Sequence, residues 1–284
     1  MIGTMSGQNI LIIKSSGERE EWSRAKLLAS LMSSKANAEL AEEIAVHVEK
    51  DLKDGMHTSD IYEHAAELLR KYDKPLAAHY SLKRAMLELG PSGYPFERFI
   101  SGILKAEGYQ TEVGVIVQGL CVEHEVDVIA EKEGERMLVE AKYHNSPDTK
   151  SDVKVALYVH ARFEDIKKRT ETTDTASELF TRPWLITNTS FTSQAIRYAE
   201  CAGLALTGWN YPRGHTLQDL VLRTKTHPIT VLTTLPKGAR SALLEKGVVL
   251  CSDILRDTRH LDGIGLRKQE IDGVIKEGTL LCPP

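Results

Sequence analysis

The sequence predicts an α/β protein: four N-terminal helices led by a short β element, a central mixed sheet flanked by helices, and a small helical C-terminal region. Three observations carry this. Apolar residues recur at helical spacing before Gly90, as in Leu40, Ile44, Val48 and Leu52. From residue 111 to 142 the pattern changes to short β-branched runs separated by turn residues. Residues 184–187, 193–202 and 204–209 then read as strand, helix and strand, the order that adds a parallel pair to a sheet. With 284 residues the chain has room for two or three domains, placed at residues 9–90, 91–213 and 214–284.

In the first segment, Ile10-Leu11-Ile12-Ile13 has strand character and Lys14-Ser15-Ser16-Gly17 reads as a turn. Ser23 is a good N-cap for a helix over residues 24–33. A second helix carries the Leu40 to Leu52 stripe and is ended by Gly55. Thr58 or Ser59 caps a third, with Ile61, Ala65, Leu68 and Leu69 on its apolar face. Pro75 starts a fourth, which runs to Leu89 and stops at Gly90-Pro91.

A linker at residues 92–95 leads into a helix over 96–107, with Phe96, Phe99, Ile100, Ile103 and Leu104 on one stripe. Strands follow at 111–117, 125–130 and 136–142, the last two joined by a hairpin turn within 131–135. A helix spans 149–168, and the polar, threonine-rich stretch 169–181 reads as a mobile loop. Residues 216–282 are mostly helical with short loops.

Apolar residues make up 42% and charged residues 27%, an ordinary soluble composition. No apolar run reaches the roughly 18–20 residues that span a bilayer. Met1 to Gln8 has neither a basic nor an apolar signal region, so no secretion signal is expected. Cys121, Cys201, Cys251 and Cys282 are widely spaced without a C-x-x-C, so reduced thiols in a cytoplasmic protein are expected. The three segments carry net charges of −2, −4 and +2. An acidic middle suits a cation site better than a bare phosphate-binding face.

That middle segment holds the chemistry. In a strand over 136–142, Leu138, Glu140 and Lys142 share one face and Met137, Val139 and Ala141 the other. The preceding strand places Asp127 among valines and an isoleucine, a costly position for a charge without a partner. As hairpin neighbours, the two strands can bring Asp127 and Glu140 together. Two carboxylates and the Ala141 carbonyl make an oxygen-rich shell for Mg²⁺ or Mn²⁺. Lys142 would orient a water or stabilise charge on phosphorus, and Glu97 would complete the shell or serve a second ion. His124, Tyr143 and His144 flank the site, as phosphate contacts or as cleft lining. Lys154 and Arg162 on the next helix could face a substrate backbone, but read first as a solvated face.

Asp127 followed by Glu140-Ala141-Lys142 resembles the D…(D/E)-x-K signature of the PD-(D/E)xK nuclease superfamily, in its Mrr-type restriction endonuclease branch. The resemblance covers about residues 91–213. It includes the helix with Phe96-Glu97 before the first core strand and the later strand–helix–strand. It implies a mixed sheet flanked by helices, metal-dependent phosphodiester hydrolysis, DNA as substrate and a homodimer that cuts both strands.

No G-x-x-x-x-G-K-[ST] occurs, and Gly263-Ile264-Gly265 is too short for a dinucleotide fold. The first segment instead resembles the ATP-cone, a regulatory domain of many ribonucleotide reductases and some transcription regulators. The matches are Ile12-x-Lys14-x-x-Gly17, Glu20-x-Trp22-Ser23-x-x-Lys26-Leu27, Gly55-Met56-His57-Thr58-Ser59-Asp60-Ile61 and Leu76-Ala77-Ala78. The resemblance implies that ATP or dATP binds as a regulator without being hydrolysed. Lys14 and Lys26 would meet the triphosphate, and Ile12 and Leu27 would sandwich the purine. Ser23 or Glu20 would bond base or sugar, and Thr58 the base edge. Ser15 stands where the family usually has arginine, which removes a bidentate phosphate contact.

Leu235-Pro236-Lys237-Gly238-Ala239 and the following Leu243 to Leu255 loosely resemble a helix-hairpin-helix unit, with a structural cap or a dimerisation element as the alternative. The expected function is a nucleotide-regulated, Mg²⁺-dependent DNA endonuclease. The competing expectation is a non-catalytic, ATP-sensing nucleic-acid-binding protein on a nuclease-like scaffold. RNA as the substrate is a third.

Overall fold

The computed structural model describes residues 10–14, 16–172 and 179–282. The lead at Met1 to Gln8, Ser15 of the expected turn and residues 173–178 of the expected loop lie outside these. The chain divides into two compact units after Ser81.

In the first unit, β1 (Leu11–Ile13) pairs antiparallel with β2 (Arg19–Glu21). Four helices follow: α1 (Arg24–Ser33), α2 (Ala38–Asp51), α3 (Thr58–Tyr72) and α4 (Lys74–Leu87), the last of which runs across the division. The Ser23 hydroxyl accepts from the Lys26 amide and caps α1 as expected. Two expectations need correction. Helix α2 ends at Asp51, and Gly55 lies in the following loop with φ of +77°, donating its amide to the Leu11 carbonyl. His57, not Thr58 or Ser59, holds the N-cap position of α3, and it makes no side-chain cap bond. His57 instead forms a bridge to Ile13, which fixes the start of α3 beside the end of β1. Leu27, Leu31, Ile44, Val48, Ile61 and Leu69 form the core of this unit.

The second unit begins its sheet after α5 (Tyr94–Ala106). Strands β3 (Gln110–Gln118), β4 (Glu123–Lys132) and β5 (Glu135–Lys142) form an antiparallel meander. Glu133 and Gly134, with φ of +54° and +81°, make the tight turn between β4 and β5. After β6 (Lys150–Ser151), α6 (Val153–Thr172) crosses to β7 (Arg182–Thr187). The helix therefore takes in residues 169–172, which were expected in the loop. Then come β8 (Ser190–Phe191), α7 (Ser193–Ala202) and β9 (Ala205–Thr207). The five-stranded sheet has the order β3-β4-β5-β7-β9, with β5, β7 and β9 parallel. Strands β6 and β8 form a parallel pair of their own. Ile129 and Leu138 pack with Ala156, Val159 and Phe163 of α6 in one buried cluster.

The C-terminal region holds α8 (Leu217–Thr224), α9 (Lys237–Glu245), α10 (Cys251–Arg256) and α11 (Lys268–Leu281), with short 3₁₀ turns between. Gly238 stands in the first turn of α9, and Gly247 follows its end with φ of +74°. An ion pair from Arg223 to Glu107 and a bond from Arg98 to the Gly247 carbonyl tie this region to α5 and the residue after it. Among the described residues no helix is long and apolar enough to cross a membrane.

Candidate functional site

The β4–β5 ladder runs from Lys132↔Glu135 to Val128↔Val139 and stops there. Asp127 and Glu140 are the next residues on each strand, two along from the paired Ile129 and Leu138, and so share their face. Beyond the last bridge a side chain replaces the ladder: the Asp127 Oδ2 accepts from the Ala141 amide at 2.8 Å. On the other side of Asp127 the register passes from Val113↔Val128 to Val115↔Val126. The intervening Gly114 has φ of +65° and open space where a Cβ would stand. The residue opposite Asp127 thus adds no bulk.

Burial raises the pKa of Asp127, and the neighbouring Glu125 charge adds to the rise. The amide of Ala141 and the charges of Arg162 and Lys142 oppose it. Burial and then the Asp127 charge push Glu140 up to about 7. Glu97, in the first turn of α5, is pushed up to about 7 by burial and then by the charges of Asp127, Glu125 and Glu140. The three expected acids therefore share one field. They do not close into a single ligand set: among the described residues no three His, Cys, Asp or Glu side chains converge on a metal position. What remains for a hard cation is the Asp127–Glu140 pair with backbone oxygen. Its partly buried, mutually repelling carboxylates fit such an ion, since a cation would offset both costs. Lys142 is exposed at the end of β5.

One member was misread from sequence. Arg162 is not on a solvated face; it is 7% exposed. Its guanidinium pairs with the Glu140 carboxylate and donates to the Glu125 carbonyl. A signal existed. Arg162 stands three after Val159 and four before Ile166, both fully buried, within the apolar stripe of α6. Lys154 is exposed, as expected.

The flanking residues separate into two kinds. Tyr143 donates to the Leu87 carbonyl at 2.6 Å and accepts from the Gly90 amide at 2.9 Å, a structural role. His124 meets Asp165 at 2.8 Å, and Asp165 also receives the amides of Cys121 and Val122. His144 Nε2 meets the Ser151 hydroxyl at 2.9 Å, and its pKa is lowered by burial and then by Lys142. Asn188, which no sequence pattern marks, clamps His144: Oδ1 accepts from the His144 amide and Nδ2 donates to its carbonyl, each at 2.8 Å. This joins the ends of β5 and β7, the carboxyl edge where α/β sheets usually hold ligands.

In the first unit the seven expected nucleotide residues gather round the β1–β2 hairpin. Lys14 reaches Glu20 at 2.5 Å and Glu18 at 3.3 Å, and Lys26 also pairs with Glu20. The two lysine bonds hold the Glu20 carboxyl down at about 2. Ser23 is engaged as the α1 cap, and Thr58 sits half-buried at the start of α3. Ile12 and Leu27 are each 6% exposed and belong to the core, so they present no open apolar faces.

Family models match three successive stretches: an ATP cone domain over residues 10–87, a restriction endonuclease over 90–210, and an AF1548-like C-terminal domain over 227–282. An uncharacterized protein of Archaeoglobus fulgidus is 39% identical over 176 residues, which is 62% of this chain and 95% of that protein. The chain belongs to the AF1548-like proteins. The crystal structure titled as the protein of unknown function AF1548 is 36% identical, covers 67% of this chain and 98% of its own, and superposes with a TM-score of 0.55. In this AF1548-like chain an ATP cone thus precedes a restriction endonuclease domain. Asp127 and Glu140 lie in the latter, and the Lys14–Glu20–Lys26 cluster lies in the former.

Proposed function

We propose that the chain is a nucleotide-regulated, Mg²⁺-dependent DNA endonuclease. The observation that carries this is the parting of β4 and β5 at Asp127 and Glu140, two carboxylates with raised pKa values, with Lys142 two residues beyond Glu140 on β5. Asp127, Glu140 and the Ala141 carbonyl would hold Mg²⁺ or Mn²⁺. When bound, the ion would lower the pKa of a water and neutralise charge developing on phosphorus. Lys142 is placed to orient that water or to meet the same charge. Glu97, titrating near neutrality, is the neighbouring group able to take up a proton at physiological pH. Glu140 itself must be ionised to serve, which burial and the Asp127 charge oppose and the Arg162 guanidinium favours.

In the ATP cone, Lys14 and Lys26 supply the charge for a triphosphate, and Glu20 occupies both until it binds. Thr58 and Ser23 lie within the same group of elements, and Ile12 and Leu27 must become accessible if they sandwich the base. ATP or dATP binding would shift the docking or the self-association of the helical unit and so gate cleavage. We place the enzyme in the cytoplasm as a homodimer that cuts both strands of DNA.

A second reading, a non-catalytic nucleotide-sensing scaffold that binds nucleic acid, draws on the hold of Arg162 on Glu140. One experiment separates them. Supercoiled plasmid is incubated with the protein in Mg²⁺, with and without ATP or dATP, beside Asp127→Ala and Lys142→Ala. Cleavage by the wild type and its loss in both variants is expected. Cleavage that survives both variants contradicts the site, and no cleavage under any nucleotide favours the scaffold.

A further inference from the structure

Arg162 is a permanently charged group placed almost out of solvent. Such a group needs partners, and both of its polar partners lie where β4 and β5 have parted. There the ladder leaves two backbone groups to side chains. The Ala141 amide goes to Asp127, and the Glu125 carbonyl goes to Arg162. The second guanidinium nitrogen holds the Glu140 carboxylate, and the ring of Tyr158, one turn earlier on α6, lies 5.2 Å from the guanidinium carbon.

We infer that Arg162 is the resident cation of the Asp127–Glu140 fork, holding the Glu140 carboxylate until a divalent cation displaces it. This rests on the metal-site reading above. A guanidinium and a metal ion cannot share the oxygens of Glu140 without facing each other's charge at close range. Arginine cannot relieve that repulsion by losing a proton, so it must let go of Glu140. The Glu125 carbonyl and the Tyr158 face remain as its anchors, so release need not unseat the side chain. Arg162 is thus a positioning residue: it keeps two repelling carboxylates folded in place and sets how readily the fork takes an ion.

The test is calorimetric titration of the full chain with Mn²⁺, for the wild type, Arg162→Gln and Arg162→Lys, with thermal unfolding in EDTA and in Mn²⁺. Removing the competing charge leaves Glu140 without its partner, so Arg162→Gln should bind Mn²⁺ about tenfold more tightly or better. Arg162→Lys keeps a charge but loses the planar fork and should fall between the two. Arg162→Gln should unfold at lower temperature in EDTA, and Mn²⁺ should recover more of its stability than it adds to the wild type. Unchanged or weaker Mn²⁺ affinity in both variants, with the wild type binding, overturns the proposal and leaves the metal site standing. If no protein binds Mn²⁺, or binding is unchanged in Glu140→Gln, the metal-site reading fails and the proposal falls with it.

Discussion

The two acidic clusters of this chain are built from the same residue types and behave in opposite ways. Glu20 lies half-buried between Lys14 and Lys26, and their hydrogen bonds hold its pKa down at about 2. Glu97 and Glu140 are pushed up to about 7 by burial and then by the neighbouring acids. The first cluster is already balanced and presents two cations that an anion could take over from Glu20. The second is unbalanced and calls for a cation, which Arg162 supplies to Glu140. Charge alone does not distinguish a phosphate site from a metal site in these segments; burial and pairing do.

The comparison breaks most readily at the second cluster. Asp127→Asn should lower Mg²⁺-dependent cleavage of plasmid by roughly a thousandfold, and Lys142→Ala by about 10²–10³, as read by initial nicking rates. A loss of less than tenfold in both would mean that the fork is not the reaction site.

Titration sharpens it next. Metal must displace the protons of the raised carboxyls, so Mn²⁺ affinity should fall about tenfold per pH unit below about 7 if one proton is displaced. Stability without metal should move the other way. Carboxyls raised from 4.5 to about 7 bind more protons folded than unfolded, so their contribution is present below 4.5 and lost as pH rises through about 7. Glu20, lowered to about 2, has the opposite sign: its contribution is present above 4.5 and lost as pH falls through about 2. Because its lysine partners reach solvent, it should contribute little. Denaturant unfolding in EDTA across this range checks both signs.

A smaller effect tests the first cluster. Lys14→Ala and Lys26→Ala should each weaken ATP binding about tenfold, and Glu20→Gln should strengthen it if Glu20 mainly competes for the lysines. Because Lys26 is exposed and Lys14 reaches solvent, raising salt should weaken ATP binding, as calorimetry at two ionic strengths would read. Ser23→Ala should cost only about 1 kcal/mol, from loss of the α1 cap, measured by urea unfolding.

Much of this was legible in the sequence where one strong local rule acted. The Ser23 cap, the Glu133-Gly134 turn and the bounds of α7 follow from side-chain chemistry within a few residues. Strand β2 was not legible. Its residues Arg19, Glu20 and Glu21 have no apolar alternation, because it pairs with β1 at a largely solvated edge. The pairs β6 and β8 are two residues long and owe their form to distant contacts. At the site, Asp127, Glu140 and Lys142 could be placed by strand alternation. Arg162 could not be told from a surface arginine by residue type, although its place in the stripe of Val159 and Ile166 pointed inward. Asn188 acts through backbone groups of His144, and backbone partners leave no mark on a sequence.

The central claim is that the fork at Asp127 and Glu140 holds a hard cation. Crystals soaked in Mn²⁺ and measured at a wavelength where manganese scatters anomalously test it most directly. A peak within about 2.2 Å of carboxylate oxygens from both Asp127 and Glu140, with Arg162 withdrawn from Glu140, is the predicted result. Manganese bound elsewhere, or a fork still closed by Arg162 at saturating Mn²⁺, would contradict it.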